Sequence, residues 1–177
     1  MLEKDVKQIK HRMASIDDNT GQILEFLKSA TMPKTEHPKP IEHLDVSELT
    51  KAVSILVKGD KKFIRVHAGK YDFGVALNDL NDGERLNWHD AMKMAEDDGL
   101  RLPNKEELML MFVFKDEINA LLKEAGGTML NEDYAYWSVV EYYSTYAWCL
   151  YFSSCNINIC NYYKYNTYTV ARGVAAF

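Results

Sequence analysis

The stretch Tyr142–Tyr168 restricts what this chain can fold into more than any other. It reads YYSTYAWCLYFSSCNINICNYYKYNTY, holds eight of the eleven Tyr and all three Cys, and carries a single charge, Lys164. So little charge argues for burial, yet so much Tyr, Ser and Asn leaves too many polar tips for a core. The segment Cys155–Thr169 at its end also lacks Gly and Pro. It is therefore not a free-standing long loop and needs neighbours to hold it down. Aromatic rings that supply contact area, beside small polar groups that supply adaptable hydrogen bonds, make the composition of a recognition surface.

Alternation divides the stretch. Trp148, Leu150 and Phe152 fall on one face of an extended segment and Cys149, Tyr151 and Ser153 on the other, which predicts a half-buried strand with the first set in the core. Cys155–Thr169 is expected to form a twisted hairpin. Val170, Arg172 and Val174 share one face of a last strand, and an inward Arg172 needs a carboxylate partner. The displayed face then comprises Tyr143, Thr145, Tyr146, Cys149, Tyr151, Ser153, Cys155, Asn156, Asn158, Cys160, Tyr162, Tyr163, Tyr165 and Tyr168. These are the expected ligand-binding residues. Cys149, Cys155 and Cys160 are an odd number with no zinc-ligand spacing, so they read as unpaired small side chains.

Three domains are expected: a coil over 1–28, a linker and connecting segment over 29–60, and a ligand-binding domain over 61–177. Leu2, Val6, Ile9, Met13, Ile16, Thr20, Ile23 and Leu27 follow an unbroken heptad spacing. So narrow a stripe suits a coiled-coil seam better than a helix lying on the chain's own body. Ile at the d positions 9, 16 and 23 shifts the preference from dimer toward trimer or tetramer, with a homotrimer through residues 2–27 the first choice. Ala30–Pro40 has three Pro and reads as a spacer. Asp45–Val57 is expected as a short helix with Leu49, Val53 and Leu56 or Val57 inward.

Lys61–His67 and Tyr71–Leu77 read as strands joined by a turn at Ala68-Gly69-Lys70. Asn87 is placed to cap a helix over Trp88–Asp98 that Gly99 ends. Asn104 and Glu107 stand at capping-box spacing before a second helix. Asp116–Ala125 continues it, or forms a separate helix, and ends at Gly126-Gly127. Glu106 and Glu107 point about 100° apart on a helix, so capping explains them better than an acid/base pair.

Gly99-Leu100-Arg101-Leu102-Pro103-Asn104-Lys105-Glu106-Glu107-Leu108 resembles a segment of bacterial and phage C-type-lectin-fold domains. Downstream, Tyr136-Trp137-Ser138, Glu141-Tyr142, Ala147-Trp148, Phe152-Ser153-Ser154 and Val170-x-Arg172-x-Val174 are similar, in the same order, to that family's pattern. Leu100, Val139-Val140 and Cys155 depart from it. The resemblance covers about Tyr71–Phe177. It implies an α+β C-type lectin fold with two helices packed on small antiparallel sheets, here preceded by the coiled-coil helix. It also offers Glu141 as the partner of Arg172. The residues that depart from the family frame are almost all Tyr, Cys, Ser, Thr, Ile and Asn, each reachable from an Asn codon by changing adenines alone. The chain thus resembles the variable proteins of diversity-generating retroelements, the phage tropism-determinant and treponemal variable protein class. That resemblance implies a hypervariable ligand-binding face among fixed frame residues Trp137, Ala147, Trp148, Phe152 and Arg172. An undiversified lectin-fold binding domain would share the frame.

The implied partner is a protein or glycan receptor on a target cell. A formylglycine-generating-type oxidase shares the fold and would use Cys155 and Cys160, but little near them would activate a thiolate. No enzyme activity and no cofactor are expected. Few carboxylates in the Tyr-rich stretch imply calcium independence. A net charge of −5 with no basic stripe argues against nucleic acid. No run is long enough for a membrane span. The N-terminus lacks an apolar signal region, so synthesis in the cytoplasm is expected, followed by a virion-associated (tail) or otherwise extracellular location after release.

Overall fold

The computed structural model describes residues 52–153 and 159–177, and for 159–161 the backbone alone. The expected coil, the Pro-rich spacer and Cys155, Asn156 and Asn158 lie outside the described residues.

The architecture is α+β, with strands in two sheets and helices between and beside them. The first sheet has the order β1-β2-β3-β8, all neighbours antiparallel. Its strands are β1 (Val53–Lys58), β2 (Lys61–Ala68), β3 (Tyr71–Asp79) and β8 (Arg172–Ala176). The second sheet has the order β6-β5-β4-β7, built from β4 (Ala135–Tyr143), β5 (Tyr146–Tyr151), β6 (Ile159–Tyr163) and β7 (Thr169–Val170). Here β7 runs parallel to β4, while β5 is antiparallel to both β4 and β6. A short 3-10 helix (Leu80–Gly83) and three α-helices, α1 (Trp88–Asp97), α2 (Lys105–Val113) and α3 (Lys115–Ala125), complete the described elements.

The expected hairpin of β2 and β3 is present. Of the expected helix over 45–57, residues 45–51 lie outside the described residues, and the described end is strand: Val53–Lys58 is β1, paired along its length with β2. Val53, Ile55 and Val57 are β-branched and alternate, and a waiting edge decides the competition that the 3/4 spacing left open. The single last strand is also two. Thr169–Val170 belongs to the second sheet and Arg172–Ala176 to the first, so the chain changes sheets at Ala171.

The helix ends follow the sequence signals. Asn87 Oδ1 accepts from the Asp90 N–H at 2.9 Å. Asn104 Oδ1 accepts from the Glu107 N–H at 2.7 Å while Glu107 Oε2 accepts from the Asn104 N–H at 2.8 Å, a complete capping box. Glu107 also takes both arms of Arg101, each at 2.6 Å. Its oxygens are thereby committed to structure, as expected of a cap and not of an acid/base pair. Gly126 closes α3 at φ 80°, a left-handed conformation that suits Gly best.

Two apolar clusters meet across the second sheet. One gathers Ile64, Val66, Phe73 and Val75 of the first sheet, α2 and α3, and Tyr136, Leu150 and Phe152. The other gathers Trp88, Ala91 and Ala95 of α1 with Leu102, Ala135, Trp137, Ala147 and Cys149. Strands β4 and β5 are thus covered on both faces. Two tryptophans reinforce the α1 side: Trp88 Nε1 donates to the Ser138 carbonyl and Trp137 Nε1 to the Leu86 carbonyl, each at 2.8 Å. Trp137 is fully buried, and truncating such a side chain to Ala costs roughly 3–5 kcal/mol.

Arg172 is also fully buried, inward as expected, but its partner is Asp79 and not Glu141. Nε lies 2.5 Å from Asp79 Oδ1. The other donors reach the carbonyls of Ala76, Leu77 and Thr128 at 3.0, 2.8 and 3.0 Å. Asp79 Oδ2 in turn accepts from the Tyr136 hydroxyl at 3.1 Å. Asp79 ends β3, the strand that β8 joins, which brings the two together, whereas Glu141 lies at the far end of β4. Among the described residues no helix is long and apolar enough to cross a membrane.

Candidate binding surface

Strands β4 and β5 are joined by a two-residue turn, Ser144-Thr145, with Tyr143 opposite Tyr146. The β4–β5 register shifts between Glu141 and Tyr143. An irregularity of that kind breaks strict alternation, and the neighbours Tyr142 and Tyr143 turn their rings onto each other at 4.5 Å. Tyr142 also meets Trp148 edge-on at 4.9 Å. Across the β5–β6 ladder Tyr146 stands opposite Tyr163, with ring centroids 5.8 Å apart. Tyr163 touches Tyr165 at 5.4 Å, and Tyr165 touches His89 of α1 at 5.1 Å.

These contacts compose two runs of aromatic rings, Trp148–Tyr142–Tyr143 and Tyr146–Tyr163–Tyr165–His89, which the cross-strand register of Tyr143 and Tyr146 sets side by side as one arc. It starts at Trp148, under the Lys105 ammonium at 4.7 Å, passes through Tyr142, Tyr143, Tyr146, Tyr163 and Tyr165, and ends at His89. Edge-to-face pairs at 4.5–7 Å are each worth about 0.5–1.5 kcal/mol beyond burial, so the rings brace one another while staying open. Exposure ranges from 39% for Tyr146 to 64% for Tyr143 and Tyr165, with Tyr168 at 57%. Rings held open at this level are available to a partner.

Of the expected binding residues, Tyr143, Thr145, Tyr146, Tyr163, Tyr165 and Tyr168 are exposed. Tyr151, Ser153 and Tyr162 are half-buried. Tyr151 and Tyr162 join hydroxyls at 2.8 Å, and this bond, helped by burial, pushes the Tyr162 phenol up to about 12. Cys149 is a correction. It is 1% exposed, packs against α1 and Trp137, and is disulfide-bonded. Cys160 stands opposite it in the β5–β6 register. The expectation of a half-buried strand with an outward Cys149 fails because β5 is an inner strand covered on both faces.

The sequence reading missed four members of this surface. Tyr142 is 40% exposed. Trp148, assigned to the core, is half-exposed at the arc's end. His89 and Lys105 come from α1 and α2, and no signal in the C-terminal stretch points to them. Lys164 is the reverse case: the lone charge of the stretch is buried.

Beside Trp148, the residues Lys105, Leu108, Met109, Cys149 and Leu150 line a shallow open cleft whose volume, about 10 Å³, is room for about one water. Among the described residues no group of three or more His, Cys, Asp or Glu could hold a metal ion. The arrangement offers contact area and hydroxyl hydrogen bonds, the chemistry of recognition. No protein-family model matches the chain, and no curated protein matches it.

Proposed function

We propose that the chain is a non-enzymatic receptor-binding protein that meets its ligand with the aromatic arc. In this reading the described body is a C-type lectin fold and the protein a variable protein of a diversity-generating retroelement. It serves as a phage tail-fibre tip or adhesin, virion-associated or extracellular after release. One observation carries the reading. Tyr142, Tyr143, Tyr146, Tyr163, Tyr165 and Tyr168 are 39–64% exposed, yet Ala147 beside Tyr146 and Lys164 between Tyr163 and Tyr165 are buried, as are Phe152 and Arg172 of the same C-terminal part. A surface rich in open Tyr on a closed frame supports display and not packing.

Residues 2–27 assemble three copies in this reading. Three linked heads raise the effective concentration of the later contacts, and avidity exceeds single-site affinity by about 10² to 10⁴. The target is a protein or glycan on a cell surface. Labelled full-length chain is applied to a panel of bacterial cell types and bound fluorescence is measured. The triple variant Tyr146→Ala/Tyr163→Ala/Tyr165→Ala should lose binding to whichever cell type the native chain marks. Undiminished binding by that variant would place the contact surface elsewhere.

A further inference from the structure

Lys164 sits in the middle of the arc's sequence but points away from it. Tyr163 and Tyr165 on either side are 40% and 64% exposed, whereas the Lys164 side chain is 4% exposed. Its ammonium lies 3.1 Å from Glu141 Oε2 and donates to the Ser144 carbonyl at 2.9 Å. It also lies 4.6 Å from the centre of the Trp88 ring. The backbone adds two bonds. The Lys164 N–H donates to the Thr145 carbonyl at 2.9 Å, and the Lys164 carbonyl accepts from the Trp88 N–H at 2.8 Å.

One residue thus joins the end of β4, the β4–β5 turn, the exit of β6 and the start of α1. A lysine suits this place because its ammonium has three donors and no acceptor. Glu141 and the Ser144 carbonyl take hydrogen bonds, and the indole face takes the remaining charge. An apolar side chain of the same length would leave the Ser144 carbonyl without this partner and Glu141 without its counter-charge.

The geometry points to Lys164 as the positioning residue of the binding surface. It fixes the Tyr163–Tyr168 segment against the Tyr142–Tyr146 turn, so that the two halves of the arc are ordered before a ligand arrives. Ordering in advance lowers the entropy that binding must offset. That benefit rests on the binding role proposed for the arc; the positioning does not. Position 164 accordingly belongs to the fixed frame, although exposed residues flank it on both sides.

Amide hydrogen exchange on the full chain, without ligand, tests this in the native chain, Lys164→Met and Lys164→Arg. The methionine keeps the stem over Trp88 and removes the charge. It should speed exchange at residue 164 and at Trp88 by about tenfold or more, while Ile64 and Val75 in the first sheet stay within about twofold of native. Arginine keeps the charge, reaches the same acceptors and should restore most of the protection. Native-like exchange in Lys164→Met overturns the inference. So does equal acceleration at Ile64 and Val75, which would make Lys164 a general support of the fold, and so does arginine exchanging as fast as methionine. Because no ligand is present, these results stand apart from the cell-binding test of the tyrosines.

Discussion

Arg172 Nε and Asp79 Oδ1 meet at 2.5 Å in the interior, 93 residues apart in sequence. The pair binds the first strand after the sheet change at Ala171 to the end of β3. Through Tyr136 it also reaches the second sheet. Breaking a buried, hydrogen-bonded ion pair by removing one partner costs about 3–5 kcal/mol. Arg172→Met should lower unfolding free energy by that amount in equilibrium urea denaturation. The Arg172→Met/Asp79→Asn double variant should fall well short of the sum of the two single losses, because no unpaired charge is left behind. Arg172→Lys should recover little, since an ammonium cannot reproduce the fork that reaches Ala76, Leu77 and Thr128.

Glu107 serves as helix cap and as partner of Arg101 at once. Glu107→Ala removes both roles and should cost about 1–3 kcal/mol by thermal or urea unfolding. Glu107→Gln keeps an acceptor for the Asn104 N–H and should cost less than Ala. Equal losses would mean that the ion pair to Arg101, and not the cap, carries the effect.

The Tyr151–Tyr162 hydroxyl pair gives an alkaline signature. The hydrogen bond shared with Tyr151 first, and burial second, raise the Tyr162 phenol to about 12. A raised folded value favours the neutral form. The contribution to stability is therefore complete below the ordinary tyrosine value of about 10 and fades as pH rises through about 12. Tyr151→Phe should return Tyr162 toward ordinary titration, followed by phenolate absorbance, and flatten this part of the alkaline stability loss. An unchanged titration in Tyr151→Phe would assign the shift to burial alone.

Local signals were the legible ones. Asn87, the Asn104–Glu107 box and Gly126 act within one helical turn, and the structure places each as the sequence spacing implies. Partners and faces were not legible. Cys149 alternates with Leu150 as a surface residue would, but alternation separates core from solvent only where one face is wet. With α1 on one side of β5 and α2 on the other, both sets are buried. Arg172 needed a carboxylate, and spacing could not choose between Asp79 and Glu141, because the choice depends on where β8 joins the first sheet. Glu141 instead pairs with Lys164. The displayed tyrosines were largely foreseen from composition. Their bracing by Trp148, Lys105 and His89 was not, since α1 and α2 meet the arc only in the folded chain.

The most direct test is the DNA of the gene's 3′ end, sequenced across a population of cells and compared with the flanking DNA. The proposed role expects a near-copy of this end beside a reverse transcriptase gene, differing at the copy's adenines. The differences should fall in codons for exposed residues such as Tyr143, Tyr146, Tyr163, Tyr165 and Tyr168. Trp137, Ala147, Phe152 and Arg172 should stay constant. So should Lys164, even though both lysine codons open with two adenines. Absence of a near-copy, or substitutions spread evenly over buried frame and open surface, would contradict a diversified recognition face.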